Sequence, residues 1–233
     1  WNVSNVTPAI KYANFDTNTP SWVLPKPAFI TLPLTNATFQ TAINDILALD
    51  NDGNVFLAPY GKIQDWDVSQ VTDMTSAFQT TNFNGDLSSW DVSSVTNMSF
   101  MFAETLFVGD ISSWDVSSVN DFRYMFQDNV SFNIDIGSWD VSSAISMEYM
   151  FGGASGFQAG GTQSPTNTNL SSWDVSQVSD MSNMFLGSNF ISLGIGSWDV
   201  GNVTNMSFMF SSNTALNEDI GSWDVSSVTN MSF

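Results

Sequence analysis

Seven aspartates recur at one place in a repeated segment: Asp67, Asp91, Asp115, Asp140, Asp174, Asp199 and Asp224, each between a Trp and a Val. Carboxylates in a row can hold calcium through an all-oxygen shell. They can attract a basic or hydroxylated ligand, or accept hydrogen bonds from the chain's own Ser hydroxyls and backbone. A pair of carboxylates can also hydrolyse a glycoside. Here, though, every Asp belongs to a column, and nothing singles out one pair. The chain has no His and no Cys, which removes the commonest general base, the commonest transition-metal ligand and any thiolate metal site. No Gly-rich phosphate loop is present. The expectation is a protein that is not an enzyme and needs no cofactor, with calcium as the one candidate ion.

Charge narrows the partners. Acidic residues number 23 against four basic ones, for a net charge of -19. Such a chain repels phosphate backbones and anionic lipid, so no nucleic acid is expected. No apolar run reaches the length of a membrane span. Cations and partners with basic patches fit better. The hydrophobic share of 42% suits a packed chain rather than a disordered one.

The carboxylates must be positioned by the repeat that carries them. The segment Trp-Asp-Val begins at Trp66, Trp90, Trp114, Trp139, Trp173, Trp198 and Trp223, at intervals of 24, 24, 25, 34, 25 and 25 residues. Six copies continue with Ser; the copy at Trp198 has Gly201. Apolar columns run in register through the copies. One is Ile63, Leu87, Ile111, Ile136, Leu170, Ile195 and Ile220; another is Phe78, Phe102, Phe126, Phe151, Phe185 and Phe210. Alternation at Trp114 and Val116 predicts a half-buried strand with Asp115 pointing outward. The spacing of Val119, Phe122, Met125 and Phe126 predicts a short helical turn, and Thr96-Asn97, Thr204-Asn205 and Thr229-Asn230 supply oxygens where it would start.

These periods predict an α/β repeat, a solenoid of parallel short strands with short helical turns, spaced ~4.8 Å apart. Its Trp and Met columns read as core rather than as a sugar platform or a metal relay. Neighbouring carboxylates at that spacing repel by about 1 kcal/mol in water. Ser donors, calcium or a ligand must offset this.

The repeat array is assigned to residues 63–233, with a loop insertion at 158–169 rich in Gly, Ser, Thr and Asn. Residues 36–62 form an N-terminal cap. Within it Thr38–Leu49 reads as an amphipathic helix with Thr38 as N-cap and Phe39, Ala42, Ile43, Ile46 and Leu47 on one face. Asp50-Asn-Asp-Gly53 starts like a calcium loop, but no Glu follows at the required offset. Residues 8–35, punctuated by five prolines, read as a linker or covering segment. Residues 1–7, Trp-Asn-Val-Ser-Asn-Val-Thr, read as the tail of a preceding repeat. The expectation is a piece of a longer protein, or a chain whose ends are covered by another. Asn-x-Ser/Thr sites, among them Asn97, Asn129 and Asn205, would accept glycans in a eukaryotic secreted protein.

The stretch Ile111-Ser-Ser-Trp114-Asp-Val116-Ser-Ser-Val119 fits the opening of a leucine-rich repeat. It has Val119 where an inner-corner Asn or Cys is usual. The whole unit is Trp-Asp-Val-Ser-x-Val-Thr-x-Met-x-x-Met-Phe, followed by Phe-Asn-x-Asp-Ile-x-x-Trp. Over about residues 38–233 it resembles the BspA-like leucine-rich-repeat surface proteins. The resemblance implies surface display, adhesion or binding roles, and no catalytic residues. The expected function is therefore a non-enzymatic extracellular or cell-surface recognition or adhesion module. Its partner would be a protein or glycan ligand, or copies of itself. A structural subunit of an extracellular filament or sheath is the alternative, and an ice- or mineral-binding face is a third reading.

Overall fold

A computed structural model describes residues 32–50, 53–156, 169–188, 190, 193–214 and 216–233. The segment 1–7, nearly all of 8–35, the middle of Asp50–Gly53 and nearly all of the loop at 158–169 lie outside the described residues.

The amphipathic stretch forms the only α-helix among the described residues, α1 (Asn36–Leu49). It starts earlier than the periodicity suggests. Thr35 is the N-cap, and Thr38 instead takes the Thr35 N–H on its hydroxyl at 3.0 Å, closing a capping box. Phe39, Ala42, Ile43 and Ile46 are buried and Leu47 is half-buried. Phe39 meets Trp90 edge-on at 5.8 Å between ring centroids. Asn36 ties the start of α1 to the first turn, accepting the Thr72 N–H at 2.8 Å and donating to the Thr72 hydroxyl at 2.7 Å.

The expectation of a leucine-rich-repeat-like α/β solenoid, with parallel strands and short helical turns, is wrong. Among the described residues there is no sheet; apart from α1 the regular structure is two 3-10 turns, Ile63–Asp65 and Ile195–Ser197. Repeat meets repeat through single parallel bridges, Asp73 to Asn97, Asn97 to Asp121, and so on through Ser146, Asp180, Asn205 and Asn230.

The reason lies in where the backbone donors go. Around Trp-Asp-Val they are used locally: Trp114 N–H bonds to the Ile111 carbonyl, Val119 N–H to the Val116 carbonyl, and Ser117 N–H to the Asp115 carboxylate. Such a segment has the alternation of a strand without its ladder. The Val119–Phe126 stretch fails as a helix for a different reason. Phe100, Glu104, Tyr124 and Asp128, at equivalent places in successive repeats, hold φ between 52° and 59°. That left-handed conformation breaks any helix. Alternate N–H groups then reach the next repeat instead of closing an i→i−4 bond: Met98 to the Asp121 carbonyl, Phe100 to Arg123, Phe102 to Met125, Glu104 to Gln127. A period of three to four is what such overlapping turns share with a helix.

The core is a set of stacked columns. Phe78, Phe102, Phe126, Phe151, Phe185 and Phe210 lie face to face, their centroids 5.5–6.0 Å apart. Trp66 through Trp198 are buried, as are the paired Val68 through Val200. Trp66 donates its indole N–H locally to the Gly61 carbonyl, and from Trp90 on each indole N–H crosses to the turn before it. Trp90 donates to the Ile63 carbonyl, Trp114 to Leu87, Trp139 to Ile111, Trp173 to Ile136, Trp198 to Leu170 and Trp223 to Ile195, at 2.8–3.2 Å. This explains why the column is Trp rather than Phe. The carbonyl it reaches already accepts one local N–H, and the indole supplies a second donor in the dry interior. Among the described residues no buried side-chain nitrogen or oxygen lacks a partner.

Replacing Trp114 by Phe removes that donor and part of the ring's packing. A net hydrogen bond is worth about 1 kcal/mol and the lost volume costs about as much again. Chemical denaturation should show Trp114→Phe about 2 kcal/mol less stable, with the same slope against denaturant.

Candidate recognition surface

The seven aspartates stand on the surface, each exposed between a Trp and a Val. Each one closes a turn. Asp115 Oδ1 accepts the Ser117 N–H at 3.1 Å and the Ser117 hydroxyl at 2.6 Å; Asp67 and Asp91 hold Ser69 and Ser93 in the same way. Asp140, Asp174, Asp199 and Asp224 accept the N–H two residues on, from Ser142, Ser176, Gly201 and Ser226, at 3.0–3.1 Å. Gly201 keeps the backbone donor and gives up only the hydroxyl.

Two further rows do the same work, and the sequence reading passed over them. Asp86, Asp110, Asp135, Asn169 and Asp219 cap Ser88, Ser112, Gly137, Ser171 and Gly221. The bridge column caps Thr75, Ser99, Arg123, Glu148, Ser182, Ser207 and Ser232, using Ser146 in one turn and Asp or Asn in the rest. An Asp or Asn two residues before Ser or Gly, recurring within each repeat, was the available signal. Asn97, Asn205 and Asn230 belong to this row. Asn129 differs: it is buried, and its Nδ2 donates to the Thr105 hydroxyl and the Phe107 carbonyl. A glycan at that nitrogen would have to displace both bonds. Asn205 Nδ2 donates to Asp180 at 3.1 Å.

The electrostatics rank the forces on the carboxylates. The Ser117 hydroxyl, then its N–H, holds Asp115 below the usual 3.8; repulsion from Asp91 is the smallest contribution. Asp110 is lowered likewise by the Ser112 hydroxyl and then its N–H, with repulsion from Asp86 the smallest. The Ser93 hydroxyl lowers Asp91, and the Ser88 N–H leads at Asp86. At Asp110 and Asp115 local donors therefore outweigh the repulsion from the neighbouring carboxylate. No three Asp or Glu residues converge as a metal cage among the described residues.

One part of the surface breaks the pattern. Where other turns place Thr72, Thr96, Asn120, Ser179, Thr204 and Thr229, one turn has Ile145, 54% exposed. Where others have Thr75, Ser99, Ser182, Ser207 and Ser232, two adjacent turns have Arg123 and Glu148. The next column carries Phe100, Tyr124 and Tyr149, stacked at 4.5 and 5.1 Å. Gly152 makes room for the last ring: a Cβ there would fall inside contact with Tyr149. Arg123 donates Nε and Nη2 to the Asp121 carboxylate at 2.6–3.1 Å. Tyr124 donates its hydroxyl to Glu148 Oε1 at 2.7 Å; burial first, then that bond, pushes its pKa up to about 12. Arg123, Ile145, Ser146, Glu148 and Asp180 line a shallow cleft of about 300 Å³, with Asn120 and Asp121 at its side.

A family model described as "Mycoplasma protein of unknown function, DUF285" matches residues 54–164 and 160–233. The chain belongs to this family. The DUF285 match spans all seven Trp-Asp-Val segments. No curated protein and no solved structure matches the chain. No helix among the described residues is long and apolar enough to cross a membrane.

Two outcomes follow for the caps. Asn keeps the accepting oxygen, and Asn97 and Asn205 already use it in this way. Asp115→Asn should therefore melt within about 0.5 kcal/mol of the parent, and Asp115→Ala should lose about 1 kcal/mol. The lowered carboxyls also set the acid response. Their stabilisation is fully present above the unfolded-chain value of about 3.9 and is lost as pH falls through the lower folded values. Thermal melts should be flat in this contribution from pH 7 to about 4.5 and fall steeply below about 4, less steeply for Asp91→Asn with Asp115→Asn.

Proposed function

We propose that the chain is a non-enzymatic recognition or adhesion module that works outside the cell, on its surface. The observation that carries this reading is the grouping of departures. Over most of the array an outward position repeats the same small polar residue, as a turn requires. At Arg123, Ile145 and Glu148 adjacent turns depart together and line one cleft. Exposed apolar and charged side chains that no turn needs are the mark of a binding surface rather than of a fold. The absence of His and Cys from the sequence and the carboxylates' service as turn caps support binding over catalysis. The resemblance of the repeat unit to BspA-like surface proteins supports display outside the cell.

The test uses the full chain beside a triple variant, Arg123→Ser with Ile145→Thr and Glu148→Ser. Each change restores a residue that other turns already carry at that place, so the variant should still unfold in one cooperative transition. Both are screened against immobilised surface proteins and glycans. The parent should retain a ligand that the variant loses. Equal retention by both would refute the reading, and concentration-dependent end-to-end assembly without any ligand would favour the structural-subunit alternative.

A further inference from the structure

The cleft at Ile145 can be read for the chemistry of its occupant, and three observations restrict it. The first is charge. Glu148 and Asp180 bring carboxylates to the lining, and the guanidinium of Arg123 is already spent on Asp121 through bonds from Nε and Nη2. The cleft is thus negative in balance, within a chain of net charge -19. An anionic ligand meets repulsion both near and far, whereas a cationic one is drawn in.

The second is the orientation of the rings. Tyr124 is covered by Phe100 on one face and by Tyr149 on the other, with interplanar angles of 6° and 7°. A pyranose or a nucleobase needs an open aromatic face to stack on. Tyr124, the ring nearest Glu148, offers only its edge, and its hydroxyl holds Glu148.

The third is Ile145. Other turns place a hydroxyl or an amide there, and Thr96, Ser179, Thr204 and Thr229 each donate their hydroxyl to the carbonyl of the preceding turn. Ile145 keeps only the backbone bond, to Asn120, and exposes its side chain beside the carboxylates. An apolar surface next to negative charge matches a side chain with an aliphatic stem and a cationic head.

We propose that this cleft binds a lysine- or arginine-bearing segment of a partner protein, the stem lying on Ile145 and the head between Glu148 and Asp180. This rests on the reading of the chain as a recognition module and names the partner's chemistry. Arg123 takes a positioning role: it neutralises Asp121 and keeps the head on the Glu148 side.

The test is fluorescence anisotropy of a labelled, unstructured peptide with two lysines, with its acetyl-lysine and glutamate counterparts as controls, at physiological salt. A chain this acidic attracts any cation weakly, so the variants must separate the cleft from the overall field. Ile145→Thr leaves the charge unchanged; Glu148→Ser and Asp86→Asn each remove one negative charge, inside and outside the cleft. Thermal melts of Ile145→Thr and Asp86→Asn should match the parent, and Glu148→Ser, which gives up the Tyr124 hydroxyl bond, should still unfold in one cooperative transition. Binding of the lysine peptide should weaken about tenfold in Glu148→Ser, severalfold in Ile145→Thr, and less than twofold in Asp86→Asn. Equal loss in Glu148→Ser and Asp86→Asn with no change in Ile145→Thr would overturn the proposal in favour of a diffuse field. Equal binding of the acetylated peptide would overturn it too. If a neutral oligosaccharide binds instead and Ile145→Thr abolishes that binding, the basic occupant is refuted while the recognition reading survives.

Discussion

A backbone that forms neither helix nor sheet must still satisfy its N–H groups, and this constraint organises the whole array. An unpaired buried donor costs about 1–3 kcal/mol, so a stack of irregular turns survives only if every turn supplies acceptors in the same places. Three devices do so here. Alternate N–H groups of the Met and Phe stretch reach carbonyls of the next turn. Three rows of Asp and Asn close the turns locally. The indoles carry a donor across the interior to the turn before. Side-chain chemistry thus replaces the ladder a β-solenoid would use, which is why the repeat is so rich in Asp, Asn, Ser and Thr.

The same constraint separates structural surface from surface free to bind. A carboxylate needed to cap a turn is fixed in identity by that duty, and Asp67 through Asp224 are accounted for as caps. At Asp115 the Ser117 hydroxyl and N–H outweigh the repulsion from Asp91, so the turn holds its carboxylate charged. What the turn does not require is Ile145 in place of Thr, or Glu148 and Arg123 in place of Ser. Those substitutions leave the caps intact: Arg123 N–H still bonds to Asp121 and Glu148 N–H to the Ser146 hydroxyl.

Much of this was legible in the sequence, and the misreadings have a common cause. The register of the columns places Trp114, Val116, Met125 and Phe126 in the core and Asp115 outside, as burial shows. Periodicity reports which side chains face inward; it does not report hydrogen bonding. Trp-Asp-Val alternates like a strand because any extended segment alternates, and Val119 to Phe126 repeats like a helix because successive turns do also. The left-handed residues that break the helix are Ser, Thr, Phe, Tyr, Glu, Asp or Asn at all but Gly153 and Gly187, so the usual marker was missing in most turns. The cleft is not part of what the repeats share, because Ile145 and Glu148 stand out only against the columns they interrupt.

Amide hydrogen exchange resolved by residue tests this account of the backbone most directly. Slow exchange should fall on Phe102, Glu104, Phe126 and Asp128, whose N–H groups cross to the next turn. The amides of the exposed Asp91 and Asp115, within the Trp-Asp-Val segments, should exchange much faster. Slow exchange running continuously through those segments in successive repeats, as parallel strands would give, would contradict it.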